Sequence, residues 1–293
     1  MRYIPAKTIL GTVRNSPDCF FGGDYNINLY RGCPHACIYC DTLSDCYGIG
    51  DLSDIRAKEN ALEILNAEMG RKRRKGTVTT GSMNDPYMPL EKKLELTRGT
   101  LYLMAVHGFG VHVLTKSDLV VRDIDLLRKV GRVYAAVSLT ITTADNELAR
   151  ILEPHAPSPE RRLAAMRQLV SAGVYTGVTM MPVLPFLTDS ANNLRDVLSR
   201  AADNGASYIT FSPDMTLRDS CRKYYYEQLD THFPGLAQRY MQTFGNSYVC
   251  PSPNAARLYD IFQTECARLG LATRIKAYSP PKDPKARQLT LFG

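Results

Sequence analysis

Hydrophobic and polar positions follow two rhythms along the chain. Short runs rich in β-branched and aromatic residues predict strands, because these residues favour extended backbone. The predicted strands cover residues 25–30, 77–81, 111–116, 133–141, 176–182 and 207–213. Between them, apolar residues recur at the three-to-four-residue spacing of amphipathic helices. The predicted helices cover residues 56–69, 91–108, 120–131, 159–173 and 192–205.

This alternation of strands and helices predicts a parallel α/β sheet. Each helix would connect two parallel strands through a right-handed crossover. Six such units fit either an incomplete barrel or a doubly wound sheet. In both architectures the chemistry is expected in the loops at the carboxyl ends of the strands.

The pattern changes after residue 214. Two amphipathic stretches, 221–233 and 254–270, predict helices without intervening strands. We interpret residues 215–278 as a helical extension packed on the partial barrel of residues 1–214. Residues 279–293, SPPKDPKARQLTLFG, are rich in proline and charge, which predicts an extended and flexible tail.

Composition narrows the class of protein. The chain has 293 residues, 44% of them hydrophobic, and lacks the run of about 18 apolar residues that a membrane helix needs. Its start shows no apolar core of a secretory signal, so we expect a cytoplasmic protein with reduced thiols. The net charge of +7 suits an anionic partner such as nucleic acid. The densest basic run, RKRRK at 71–75, fits either a helix end or a phosphate-contacting patch.

Three of the eight cysteines stand close together in the string RGCPHACIYCD. Cys33, Cys37 and Cys40 have the spacing C-x-x-x-C-x-x-C, which in a reducing compartment indicates metal ligands rather than disulfides. Zinc would need a fourth ligand, for which Cys46 or His35 is available. Three buried thiols without a metal are a further alternative. The remaining interpretation is an iron–sulfur cluster, in which three thiolates on a four-iron cube leave one iron open, as catalytic metal sites do.

The cysteine spacing, with the aromatic Tyr39 directly before the last cysteine, resembles the radical S-adenosylmethionine (SAM) superfamily. The strings NLYRGCPHACIYCD, TGSMNDPY, LTKS and LEPHAPSPERRL resemble its branch around spore photoproduct lyase, often described as DNA repair photolyase-like. The resemblance spans residues 20 to 270 and implies an incomplete (β/α)6 TIM-like barrel with a C-terminal helical extension.

The resemblance also implies the cofactors and the reaction. Cys33, Cys37 and Cys40 would hold a 4Fe–4S cluster, and SAM would bind the open iron. A one-electron reductant such as a flavodoxin or ferredoxin would trigger SAM cleavage. The resulting 5′-deoxyadenosyl radical would abstract a hydrogen atom from a substrate, while the protein supplies position and excludes water.

Candidate SAM-binding residues follow from the same match. The superfamily contacts the SAM amino group after the second strand, and Lys116 at the end of the third would meet the SAM carboxylate. Ser138 and Thr140 share one face of the fourth strand and resemble the ribose-contacting position. Each assignment has an alternative. The segment after the second strand could be an ordinary turn, and Lys116 could be a surface lysine. Ser138 and Thr140 could be core residues whose hydroxyls bond to the backbone. After the second strand the candidates are Gly81, Ser82, Asn84 and Asp85.

The sequence departs from the lyase at two positions. Ser82 aligns with the cysteine that returns a hydrogen atom in the lyase, and the O–H bond of serine is too strong for that step. Asp41 stands where the lyase has a tyrosine. We therefore do not expect thymine-dimer reversal by the lyase mechanism. Cys46 is the alternative catalytic thiol, or else a loop thiol without a role.

Three features favour damaged or modified DNA as the substrate: the positive net charge, the resemblance to the branch around spore photoproduct lyase, and the C-terminal tail. Alternatives are radical modification of a peptide or other macromolecule, and a non-catalytic iron–sulfur adaptor associated with DNA. The tail residues resemble the peptide by which bacterial DNA polymerases and repair proteins bind the sliding clamp, although the tail could also fold back on the barrel. The clamp-like residues are Gln288, Leu289, Thr290, Leu291 and Phe292.

Overall fold

The computed structural model describes residues 2–13, 21–276 and 278. The strands are β1 (Arg2–Ile4), β2 (Gly11–Thr12), β3 (Tyr25–Ile27), β4 (Tyr30–Arg31), β5 (Arg56–Lys58), β6 (Thr77–Thr80), β7 (Gly110–Thr115), β8 (Ala135–Thr140), β9 (Tyr175–Met180), β10 (Tyr208–Phe211), β11 (Asp214–Thr216) and β12 (Val249–Pro251). The helices are α1 (Ala61–Arg71), α2 (Glu91–Leu94), α3 (Leu96–His107), α4 (Ile124–Val130), α5 (Asn146–Leu152), α6 (Pro159–Ser171), α7 (Ala191–Asp203), α8 (Asp219–His232), α9 (Leu236–Phe244) and α10 (Ala255–Leu269).

Within the described chain, seven strands form the central sheet in the order β10-β9-β8-β7-β6-β3-β2. Six of these strands are parallel, namely β3, β6, β7, β8, β9 and β10. Strand β2 pairs antiparallel with β3 at the edge. Successive parallel strands are always neighbours, with no reversal of the order that a doubly wound sheet would require. The predicted incomplete six-unit barrel is therefore confirmed.

The described residues form two apolar cores. The larger lies between the sheet and the surrounding helices, and it includes residues of α1, α3, α4, α6, α7 and α10. The smaller, which we call the upper core, joins the loop bearing the three cysteines to α8 and α9. Its buried members include Cys37, Ile38, Tyr39, Leu152, Met215, Cys221, Tyr225 and Tyr240.

The helices after residue 214 pack on the barrel, as expected for an extension. Helix α10 lies beside α7, and the ring of Phe262 stacks on Phe211 of β10 with centroids 4.8 Å apart. Beyond α10, Ala272 forms a short parallel bridge with Tyr208 at the free edge of the sheet. The division at residue 214 stays a prediction, and the tail 279–293 lies outside the described residues.

Several predicted elements differ in detail. Residues 56–58, assigned to the first helix, form β5, which pairs with β1 and β4. The predicted helix 91–108 is broken at Glu95, whose φ of +51° no helix interior adopts. Helices α5 and α9 were not predicted. No helix among the described residues has the length and apolar character of a membrane span.

Candidate active site

The three cysteines lie on residues 32–40, the three-cysteine loop, which follows β4 at the carboxyl end of β3. At its start Gly32 has φ of +83°, and a Cβ there would lie 2.8 Å from the carbonyl oxygen of Leu52, so a side chain does not fit. The N–H of Cys33 donates to that same carbonyl over 2.9 Å. The backbone thus fixes where the first thiol emerges.

The far side of the loop is fastened to later parts of the chain. The N–H of Ile38 donates to the carbonyl of Leu152, at the end of α5, over 3.0 Å. The thiol of Cys221 on α8 lies 3.4 Å from the carbonyl oxygen of Cys40, which accepts its hydrogen. The loop is therefore held between the barrel and the helical extension.

The thiols of Cys33, Cys37 and Cys40 lie close enough that a negative charge on one raises the pKa of its neighbours. Burial raises the pKa of Cys33 to about 11, and it raises the pKa of Cys37 further. Such thiols stay protonated until a metal takes their charge. This donor set fits an iron–sulfur cluster, in which each thiolate binds a different iron. Among the described residues, no three His, Cys, Asp or Glu side chains are grouped as ligands of one metal ion.

Lys116 follows the carboxyl end of β7 and turns its ammonium group toward this space. Its Nζ lies 5.6 Å from the ring centroid of Tyr39 and 4.0 Å from Oε1 of Glu153. Burial alone would lower the pKa of Lys116, but negative charge on Cys37, once a metal has displaced its proton, and on the Glu153 carboxylate raises it above its usual value. The lysine therefore stays charged and can bind an anionic group such as the SAM carboxylate.

Glu153 is the centre of a buried charged network beside the three-cysteine loop. Its carboxylate accepts short hydrogen bonds from the hydroxyl of Tyr39 and the guanidinium of Arg162. Glu153 and Arg162 are each about 1% exposed. Burial would raise the pKa of Glu153, but Arg162 and Lys116 outweigh burial and hold it below its usual value. The network fixes Tyr39, which directly precedes the last cysteine, and so restrains Cys40.

Arg162 belongs to α6, and its position follows from the start of that helix. Ser158 caps the amino end, accepting from the N–H of Arg161, and Pro159 occupies the first turn. The guanidinium of Arg162 then donates to the carbonyls of Thr140 and Pro157, each over 2.8 Å. One arginine thus ties the end of β8 to the loop before α6.

Asp85 joins two strand ends rather than standing free. Oδ1 accepts from the hydroxyl of Thr115 over 2.6 Å, and Oδ2 accepts from the N–H of Lys116 over 2.7 Å. Nδ1 of His35, in the three-cysteine loop, lies 3.5 Å from Oδ2. The neighbouring Asn84 donates to the carbonyl of Tyr30 over 2.7 Å. Both side chains hold the site together, and their contact with SAM stays a prediction.

Gly81 and Ser82 occupy the turn that follows β6. Gly81 has φ of +90°, and a Cβ would lie 2.0 Å from the carbonyl oxygen of Leu114, so β6 and β7 approach here only because the side chain is absent. Ser82 is exposed. Of the four candidates in this segment, Ser82 has the side chain most open to a ligand.

Ser138 takes part in a hydrogen-bonded chain inside the barrel. Its hydroxyl lies 2.8 Å from Nε2 of His112 and 2.7 Å from the hydroxyl of Tyr208. Nδ1 of His112 lies 2.9 Å from the carbonyl oxygen of Phe21, so this nitrogen carries the hydrogen and Nε2 accepts from Ser138. Burial lowers the pKa of His112 to about 4, which keeps the ring neutral. The Ser138 hydroxyl is thus occupied by protein partners, and the ribose contacts of Ser138 and Thr140 stay predictions.

Cys46 lies on an exposed 3₁₀ turn after the three-cysteine loop. The nearest partner of its thiol is the hydroxyl of Ser44, at 3.4 Å. Nearby, Asp41 accepts from the guanidinium of Arg218 over 2.9 Å, so the position that departs from the lyase carries an ion pair with the helical extension. The catalytic role of Cys46 stays a prediction.

Comparison with known proteins assigns the family. Residues 27–198 match the model of the radical SAM superfamily. An uncharacterized protein of Mycobacterium tuberculosis is 33% identical over 84% of this chain and 74% of its own length. An uncharacterized protein of Methanocaldococcus jannaschii is 35% identical over 57% of this chain and 63% of its own length. The chain belongs to the radical SAM superfamily.

The fold is also that of spore photoproduct lyase. The structure of that enzyme with the dinucleoside spore photoproduct superposes with a TM-score of 0.66, covering 92% of this chain and 81% of the lyase, at 16% identity. A mutant of the lyase with bound SAM and the same dinucleoside gives a TM-score of 0.64. The superfamily implies an iron–sulfur cluster and SAM, and its structurally similar members are enzymes.

Sequence reasoning identified the cysteines, Lys116 and Asp85, but it did not identify His112, Tyr208 or Arg162. His112 and Tyr208 gave no signal, because a neutral histidine and a tyrosine in strands look like ordinary core residues. Arg162 was hidden in a regular helix, where one inward-facing arginine breaks the apolar face. That break, on the buried face of α6 among Leu163 and Met166, was a usable clue.

Proposed function

We propose that this protein is a radical SAM enzyme that acts on damaged or modified DNA. The observation that carries the proposal is the grouping of three thiols and one largely buried ammonium group at a single end of the barrel. Cys33, Cys37 and Cys40 would hold a 4Fe–4S cluster, and Lys116 would bind the SAM carboxylate. Once bound, the cluster and SAM would supply a 5′-deoxyadenosyl radical able to abstract hydrogen from a carbon of the substrate.

The protein's own contribution is position and charge. Glu153 fixes Lys116 and Tyr39 on one side of the site, and Asp85 fixes the ends of β6 and β7 on another. Because these groups are already paired, they need little rearrangement when SAM binds, which is how a preorganised site lowers a barrier. Ser82 provides an open hydroxyl near the turn where we propose the SAM amino group binds.

DNA is the proposed substrate class for two reasons. The chain carries a net charge of +7, which favours a polyanion. Its fold is similar to that of spore photoproduct lyase, whose structure contains a dinucleoside photoproduct. The reaction need not be the lyase's own, since Ser82 cannot return a hydrogen atom as a thiol does. Cys46 is our candidate for that donor.

SAM cleavage tests the enzyme class. Anaerobically purified, reduced protein incubated with SAM should release 5′-deoxyadenosine, measured by liquid chromatography. Lys116→Met should raise the SAM concentration needed for half-maximal release by about tenfold or more, since a charge-assisted hydrogen bond is worth about 1.5–3 kcal/mol. Lys129→Met, a change at an exposed lysine on α4, is the matched control. No release from protein with a full complement of iron and sulfide would identify an adaptor instead.

DNA binding tests the substrate class. Binding of duplex DNA should weaken steeply as salt rises, because the neutralised phosphates release counterions. Substrate DNA deuterated at the reacting carbon should transfer deuterium to 5′-deoxyadenosine. Binding that is absent or insensitive to salt would favour a peptide or another macromolecule as the substrate.

The sliding clamp is a proposed partner on sequence grounds alone. The residues concerned, 288–292, lie outside the described residues. Removing the last five residues should leave 5′-deoxyadenosine release intact and abolish clamp binding in a pull-down. Clamp binding by the shortened chain would contradict this proposal.

A further inference from the structure

The end of the barrel opposite the three-cysteine loop contains a groove of about 1040 Å³. It lies between the turn that precedes β8 and the turn that precedes β9, and the chain after α10 closes one side. The residues that define it are Arg128, Arg132, Tyr134, Tyr175, Lys276 and Tyr278. Because most of its lining lies at the amino ends of β8 and β9, the length of the sheet separates the groove from the candidate active site.

The groove is basic, and its cationic side chains form no ion pairs with described residues. None of its lining residues is Asp or Glu. Arg128, Arg132 and Lys276 are exposed, and within the described chain no carboxylate lies at ion-pair distance from them. Other arginines of this protein are paired, as Arg162 is with Glu153. An unpaired cationic groove attracts and binds anions.

The groove also presents aromatic rings that the backbone holds in place. The hydroxyl of Tyr134 donates to the carbonyl of Lys276 over 2.7 Å, and the N–H of Lys276 donates to the hydroxyl of Tyr175 over 3.1 Å. The ring of Tyr278 lies 6.0 Å from that of Tyr134. Fixed rings beside unpaired cations are the combination that binds single strands, where bases stack and phosphates are neutralised.

The basic run 71–75 extends this surface. It precedes β6, and β7 alone separates β6 from β8, so the two strands start about 10 Å apart. Lys75 packs over the ring of Phe109, whereas Arg71 and Arg73 are exposed. The same end of the barrel therefore carries positive charge across several neighbouring strands.

We propose that this groove binds single-stranded nucleic acid, with phosphates at Arg128, Arg132 and Lys276 and bases against Tyr134 and Tyr278. A single strand fits better than a duplex, because only unstacked bases can reach rings inside a groove. An acidic peptide would use the cations but leave the rings without a role. The inference does not depend on the reaction at the three-cysteine loop.

Fluorescence anisotropy with a labelled oligo(dT) of about 12 nucleotides tests the proposal. Arg128→Glu/Arg132→Glu should weaken binding by about tenfold or more and reduce the salt slope by about 1.4, at 0.7 per phosphate contact. Lys92→Glu/Lys93→Glu is the matched control, since these lysines are also exposed and end a helix, α2, elsewhere on the barrel. The control should change affinity by less than about twofold, and both variants should release 5′-deoxyadenosine normally.

A second variant tests the aromatic contribution. Tyr278→Leu should weaken binding by about fivefold or more at unchanged salt slope, because stacking is lost and no charge is. If Lys92→Glu/Lys93→Glu lost as much affinity for oligo(dT) as Arg128→Glu/Arg132→Glu, the proposal would be overturned. Equal binding of polyglutamate would also overturn it, as would a loss of duplex binding in Arg128→Glu/Arg132→Glu as large as the loss of oligo(dT) binding, because the proposed duplex substrate binds at the other end of the barrel. A chain ending at Tyr278 should still bind, and complete loss of binding there would assign the activity to the tail instead.

Discussion

The two ends of the barrel carry charge in opposite ways. At the carboxyl end, Glu153 and Arg162 are buried and bonded to each other, and Lys116 lies beside them. At the opposite end, where the parallel strands begin, Arg128 and Arg132 are exposed and unpaired. We call this the amino end of the barrel. A buried charge must be matched in place, since leaving water costs several kcal/mol per ion. An exposed charge needs no partner and can attract one from solution.

The difference separates two tasks within one small fold. Paired and buried charges hold a geometry, so they suit the end at which a reacting group must be placed. Free and exposed charges act over about one Debye length, roughly 8 Å at physiological salt, so they suit capture of a polyanion. Changes at the two ends should therefore affect different measurements.

The largest expected effect follows from removing a thiol at the carboxyl end. Cys37→Ala should lose the iron–sulfur cluster and reduce 5′-deoxyadenosine release to the level without protein, because two thiolates cannot replace three. Iron and sulfide analysis with visible absorption measures the first effect. Cys46→Ser, a change at an exposed thiol, is the control and should retain its iron. If Cys37→Ala retained its iron and Cys46→Ser lost it, Cys46 rather than Cys37 would be the cluster ligand.

The buried ion pair should give the next largest effect, on stability. Arg162→Met should lower the free energy of unfolding by about 3–5 kcal/mol, because Glu153 loses its guanidinium partner inside the protein. Urea denaturation measures this change. The double variant Arg162→Met/Glu153→Gln should lose less than the single one, since no unpaired carboxylate remains. If the loss of stability in the double variant equals the sum of the losses in Arg162→Met and Glu153→Gln measured singly, the two side chains are not coupled.

The neutral histidine inside the barrel predicts a smaller, pH-dependent effect. The pKa of His112 is about 4 in the folded protein, below its usual 6.5, so the unfolded chain binds a proton that the folded chain does not. Stability should therefore fall as the pH drops from about 7 toward 4, with His112 contributing about 2 kcal/mol between pH 7 and 4.5. His112→Gln should remove that part of the pH dependence in urea titrations. An unchanged slope would contradict the neutral state.

The smallest effect should come from the amino end. Arg128→Ala and Arg132→Ala should each change the free energy of unfolding by less than about 0.5 kcal/mol, as expected for exposed and unpaired side chains. Thermal or urea unfolding measures this. A loss above about 2 kcal/mol in either variant would mean that these charges stabilise the fold, and the contrast between the two ends would disappear.

Regular elements could be predicted where the sequence pattern is local. Helices at 159–173 and 192–205 were placed to within two residues, because their capping serines and apolar spacing are visible in the sequence. The strand at 56–58 could not, since it depends on pairing with residues 2–4 and 30–31. Its own residues continue the helical pattern that follows.

The site shows the same limit. The three cysteines are close in sequence, so their spacing alone predicted a metal centre. Tyr39 and Glu153 are 114 residues apart, and neither segment predicts the hydrogen bond between their side chains. Cys221 lies farther still from Cys40, whose carbonyl it contacts. Contacts that close a fold over long distances are set by packing, which a single sequence does not display.

The packing of the upper core has a consequence for biosynthesis. The three-cysteine loop is translated early, at residues 32–40, whereas the helices that cover it, α8 and α9, are translated only after residue 218. A nascent chain therefore exposes the loop to solvent and to oxygen until most of the polypeptide has left the ribosome. Delivery of iron and sulfide should accordingly be a late event, completed as the last helices close over the loop.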